Sequence, residues 1–152
     1  MFLTNHTLTG VLLGLSIDDV AVLAPVSVAS HLALDAVPHF GHASMKSGLL
    51  AKPFLVLGSF DFAASCIVTA AACVAVPART GHILIGVIGA DLPDLTYIPV
   101  IIFGYKLVYK LPGYRSMLSF LARIQWYEHP PGLISEFIWA ALMLALLYPR
   151  RG

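Results

Sequence analysis

Five carboxylates interrupt stretches that are otherwise apolar enough to cross a bilayer: Asp35, Asp61, Asp91, Asp94 and Glu136. A carboxylate in hydrocarbon costs about 2.5–3.5 kcal/mol on insertion scales, and leucine or alanine would be the cheap choice at each position. His31 stands four residues before Asp35. On a helix both side chains then leave from one face. An imidazole nitrogen and a carboxylate oxygen at that spacing are workable ligands for one metal ion. A hydrogen bond between helices is the competing reading of this pair taken alone.

The elements that must position these groups belong to a membrane protein. Of 152 residues, 59% are hydrophobic and only 11% are charged, with a mean hydropathy of +0.85. Soluble domains are about 45–50% apolar and about 25% charged. The length allows one integral membrane domain, residues 1–152, and no second one. A net charge of +1 argues against nucleic acid as a partner. Cys66 and Cys73 lie seven apart in one apolar run, about 10 Å along a helix axis, too far to bridge. The N-terminus lacks the positive region of a cleavable signal, so residue 1 is taken as the true start.

Hydropathy predicts an all-α polytopic bundle of about five helices plus one interfacial amphipathic helix. Helix 1 covers residues 3–17, roughly 22 Å long and short for a core of about 30 Å. Asp18 and Asp19 mark a turn, with aspartate suited to cap the next helix. Helix 2 covers 20–37 and meets Pro38; helix 3 covers 53–76, opened by Pro53. Helix 4 covers 82–103, broken locally at Pro93 and Pro99, and helix 5 covers 132–148. Between the last two, Tyr105, Tyr109, Tyr114, Trp126 and Tyr127 mix with Lys106, Lys110, Arg115 and Arg123. From Ser116 onward Met117, Leu118, Leu121 and Ile124 share a helical face, as an interfacial anchor requires.

Lysine and arginine set the expected orientation. Lys46, Lys52, Lys106, Lys110, Arg115 and Arg123 fall on one side, and Arg79, Arg150 and Arg151 on the other. The positive-inside rule puts the first side, with the N-terminus, in the cytoplasm.

Antiparallel threading brings the polar residues to that same end. His6 lies near the start of helix 1; His31, Asp35 and His39 end helix 2; Asp61 lies two turns into helix 3. Asp94 heads toward that face in helix 4, while Glu128 and His129 precede helix 5 and Glu136 lies a turn inside it. The added groups tip the His31–Asp35 pair toward metal. Asp91 reads as an acceptor for a ligand histidine. His42 reads as a loop residue, His82 as interfacial on the opposite face, and Glu136 as a buried hydrogen-bond partner.

The segments Ser30-His31-Leu32-Ala33-Leu34-Asp35-Ala36-Val37-Pro38-His39 and Gly89-Ala90-Asp91-Leu92-Pro93-Asp94, with the Thr-x-x-x-Gly pattern around His6, resemble a known family. It comprises small bacterial membrane-bound metal-dependent hydrolases, including LexA-regulated inner-membrane hydrolase-like proteins. The resemblance implies a bacterial inner (plasma) membrane protein with His6, His31, Asp35, His39, Asp94 and His129 at its metal site. The His-Arg-x-x-Thr-His-Ser segment of the better-known branch has no counterpart here.

The expected activity is hydrolysis by one or two divalent ions, zinc by ligand type. His6, His31, Asp35, Asp61, Asp94 and His129 are the expected metal ligands. His39 serves as ligand or proton carrier, and Glu128 is the candidate general base. A divalent ion lowers the pKa of bound water toward about 7 and polarises a phosphoryl or acyl oxygen. A phosphoester lipid suits a site opening near headgroups beside a cationic, aromatic strip. The rival expectation is a non-catalytic accessory or scaffold subunit of a larger membrane complex, its small residues in helix 3 allowing close packing. Ion transport fits less well, since it wants polar groups spread across the whole span.

Overall fold

Asp19 starts the second helix by accepting a hydrogen bond from the Ala21 amide at 2.8 Å, a side-chain cap on a free helix end. The computed structural model describes residues 1–41, 51–125 and 128–148. His42, Lys46, Trp126, Tyr127, Arg150 and Arg151 lie outside the described residues. The helices are α1 (Leu3–Ser16), α2 (Val20–Asp35), α3 (Lys52–Ala75), α4 (Thr80–Leu95), α5 (Ile98–Phe103), α6 (Tyr105–Val108), α7 (Tyr114–Ile124) and α8 (Leu133–Leu147). Among the described residues there is no strand, only an isolated bridge between His39 and Glu128.

Among the described residues, three helical stretches are long and apolar enough to cross a membrane: Lys52–Ala75, Pro77–Phe103 and Pro130–Leu147. The chain is therefore an all-helical membrane protein. α2 is apolar but shorter.

α1 is the hub, packing on α4, α3, α8 and α2. That position explains its weak hydropathy. Its polar side chains Asn5, His6, Thr7 and Thr9 are all buried and face protein. Glycines let it approach α4 backbone to backbone. A Cβ on Gly10 would lie 2.6 Å from the Gly86 carbonyl oxygen, and one on Gly14 2.6 Å from that of His82. Real Cβ atoms do not come that close to main chain, so glycine is required at both positions.

Prolines set two helix ends. Pro38 cannot donate to Leu34, and it disfavours helical geometry at Val37, so α2 stops at Asp35 rather than at residue 37. Pro93 sits inside α4, and the break falls at Thr96–Tyr97 rather than at Pro93 or Pro99. Pro99 has no N–H for the Leu95 carbonyl, so the ladder cannot run on, and Pro99 instead fits the first turn of α5.

α7 is the amphipathic helix. Leu118 and Leu121 are buried while Arg115 and Arg123 are exposed. Gly104 and Gly113, at φ 73° and 76°, make the two turns that flank α6, a backbone region other residues avoid.

Candidate metal centre

His31 is aimed by main chain. Its Nδ1–H donates to the Ala90 carbonyl at 2.5 Å across the α2–α4 contact. Nε2 is then a lone pair. It faces two carboxylates, lying 3.1 Å from Asp35 Oδ2 and 3.8 Å from Asp94 Oδ1, with no hydrogen bond of acceptable geometry. His6, from α1, stacks on the His31 ring with centroids 3.8 Å apart. Its Nε2 lies 3.2 Å from Asp35 Oδ1, and neither of its nitrogens is hydrogen-bonded. Both imidazoles are fully buried.

Acceptors facing each other at this range repel unless a proton or a cation lies between them. Ligands about 2.0–2.1 Å from a tetrahedral ion sit about 3.3 Å from one another. The observed 3.1, 3.2 and 3.8 Å separations bracket that spacing. One ligand atom each from His6, His31 and Asp94 all lie within 4.8 Å of one another. The described residues thus contain a His/Asp group able to hold a metal ion. Asp35 lies on its inner side, 2% exposed, and Asp94 on its outer side with its side chain 25% exposed.

Asp35 has further partners. The Met1 amino group donates to Oδ1 and Gln125 Nε2 donates to Oδ2, each at 2.7 Å. The sequence reading did not single out Gln125. Its only signal was a polar residue at the end of the amphipathic helix.

Asp61 stands elsewhere. Its carboxylate accepts from the Leu3 amide at 2.6 Å, the Thr4 amide at 3.1 Å and the Thr4 hydroxyl at 2.5 Å. That satisfies the free N–H groups at the start of α1, which lacks a cap of its own. His129 also turns to local work, its Nδ1 accepting from the Gly132 amide at 3.1 Å. Neither belongs to the three-residue ligand group. Asp91, expected to serve a ligand histidine, instead accepts from the Thr7 hydroxyl at 2.9 Å, and its Oδ1 is unpartnered.

His39 and Glu128 do meet. The His129 amide donates to the His39 carbonyl at 3.1 Å, pinning the two segments together. His39 Nδ1–H donates to the Val37 carbonyl at 2.8 Å, leaving Nε2 facing Glu128 Oε1 at 3.9 Å. Burial, the Met1 ammonium nearby adding to it, pushes the His39 pKa down from 6.5. Glu136 is the buried partner the sequence suggested. It accepts from the Phe2 and Phe40 amides and from Asn5 Nδ2, tying α8 to the start of α1 and the end of α2.

At the opposite end of the bundle, Arg79 pairs with Asp18 and His82 Nε2 donates to the Asp18 carbonyl. Cys66 and Cys73 are free thiols.

A cavity of about 960 Å³ opens beside the group, with Asp94, Gln125 and Glu128 in its wall. Comparison with protein-family models, with curated proteins and with solved structures found no match to this chain.

Proposed function

We propose that the protein is a membrane-embedded metal-dependent hydrolase of the small bacterial family it resembles, acting on a phosphoester or lipid-like substrate near the membrane interface. The observation that carries this reading is the set of buried imidazole nitrogens, His6 Nε2 and His31 Nε2, turned toward Asp35 and Asp94 without hydrogen bonds. Two imidazoles and two carboxylates suit zinc. The bound ion supplies positive charge for a phosphoryl or acyl oxygen and acidifies water.

The chain's own residues do the rest. Ala90 and Gln125 fix the orientations of His31 and Asp35. The partly exposed Asp94 leaves the open side toward the cavity, where substrate enters. Glu128, in the cavity wall, takes a proton from the attacking water, and His39 Nε2 beside it receives that proton in turn. The cationic α6–α7 strip holds the site against anionic headgroups, in a five-segment bundle whose N-terminus faces the cytoplasm of a bacterial inner membrane.

The test is elemental analysis of purified protein together with phosphoesterase and esterase assays. Wild type is expected to hold zinc stoichiometrically and to turn over substrate, and His31→Ala to lose both. Metal-free, inactive wild type refutes the proposal.

One observation favours the alternative, a scaffold or accessory subunit of a membrane complex. Asp35 already has the Met1 amino group and Gln125 as partners, so the cluster can lock helices together without an ion. Co-purification with a partner and no zinc would select that reading.

A further inference from the structure

We propose that the cavity beside Asp94 binds the single hydrocarbon chain of an amphiphile with a phosphate head, the head resting at the His6–His31–Asp94 group. The placement of the head rests on the metal reading above; the chain pocket does not. The cavity's volume of about 960 Å³ lies at the upper end of the about 300–1,000 Å³ that holds ordinary small ligands. Asp94, Gln125 and Glu128 give its wall a polar patch beside the ligand group, and Asp61, also in the wall, is already engaged by the start of α1. Phe54, Leu57, Ile98, Ile101 and Leu118 supply apolar wall from α3, α5 and α7.

The cavity occupies a gap between helices. α3 packs on α1 and α4, and α5 and α7 are not among its main partners. Phe62, Ile98 and Ile101 of the cavity wall are 50%, 40% and 45% exposed on stretches apolar enough to cross a membrane, which gives a lipid chain an apolar route into the gap from the side.

Gly58 supplies an independent sign that the space is kept open. Phe54, Gly58 and Phe62 follow one another at four-residue steps on the cavity face of α3. A Cβ at Gly58 would meet nothing within 4 Å, so no neighbour demands glycine there. Glycine weakens a helix interior, and here its absent side chain leaves a notch between two phenylalanines of the cavity wall.

The probes are inorganic phosphate and a homologous series of n-alkyl phosphates, offered to zinc-loaded full-length protein in lipid nanodiscs, with empty nanodiscs as the partition reference. Alkyl phosphates are expected to bind saturably, one per chain. A buried methylene is worth about fourfold in affinity, so the longer members should exceed inorganic phosphate by at least about tenfold. Gly58→Phe fills the notch and should weaken the alkyl phosphates by at least about tenfold, with inorganic phosphate unchanged. Gly58→Ala serves as the folding control and should bind like wild type. Equal binding of free and alkyl phosphate, or indifference to Gly58→Phe, overturns the pocket. Saturable, Gly58-sensitive chain binding in protein that takes up no zinc keeps the pocket and defeats the metal reading instead.

Discussion

Gln125, the residue that ends α7, reaches back to Asp35 at the end of α2, its Nε2 donating to Oδ2 at 2.7 Å. The amphipathic helix thereby holds a carboxylate of the buried cluster. Gln125→Leu removes the bond with little change of shape. Loss of an orienting partner costs metal affinity about 10–100-fold. Competition with a chelator of known zinc affinity should show a loss in that range, with the melting temperature nearly unchanged. An unaltered affinity would mean that Asp35 needs no such support.

Asp61 separates a cap from a ligand. Asp61→Asn keeps one acceptor but turns an amide NH2 toward a main-chain N–H and removes the charge at the start of α1, and the hydrogen bond left unmade should cost about 1–3 kcal/mol in thermal or denaturant unfolding. Zinc content should stay at the wild-type level. A zinc-free Asp61→Asn protein of normal stability would return Asp61 to the ligand set.

Four of the six metal ligands expected from sequence, His6, His31, Asp35 and Asp94, converge because helix order alone fixes which ends share a face. Helix limits were legible where a proline or a capping aspartate marks them, as at Asp19 and Pro53. The roles of Asp61 and Gln125 were hidden. Each depends on a second element passing nearby, the start of α1 for Asp61 and the end of α2 for Gln125, and no local pattern encodes such a crossing. His129 did carry a local signal: a histidine before Pro-Pro-Gly can cap the tight turn that follows, and it does.

The α1–α4 seam makes a stability prediction. Gly10→Val places a side chain against the Gly86 carbonyl and the Val87 backbone, neither of which can rotate away. Overpacking costs about 1–3 kcal/mol, and more where backbone must move. The variant should melt at least several degrees lower in nanodiscs and lose zinc, because the seam sets the spacing of α1 and α4, which carry His6 and Asp94. A variant that melts like wild type would show that the helices do not approach this closely.

His39 predicts the sign of one pH effect. In the folded chain its pKa is depressed, chiefly by burial, so it stays neutral where the unfolded chain takes up a proton. Its contribution to stability is complete above about pH 6.5 and declines as the pH falls below that value. Melting curves measured between neutral and mildly acidic pH should show this decline, and His39→Gln should make it shallower. An unchanged slope would assign the decline to other groups.

The polar hub helix also has a history written into it. Asn5 and Thr9 of α1 find their partners in Glu136 and Trp139, near the far end of the chain. Ribosomes deliver the first segment long before the last, and unmatched amides and hydroxyls are poorly tolerated in lipid. The Thr9 hydroxyl is already satisfied by the Asn5 carbonyl one turn back, but the Asn5 amide gains its side-chain partner only when α8 is in place, so a late helix completes the packing of an early one.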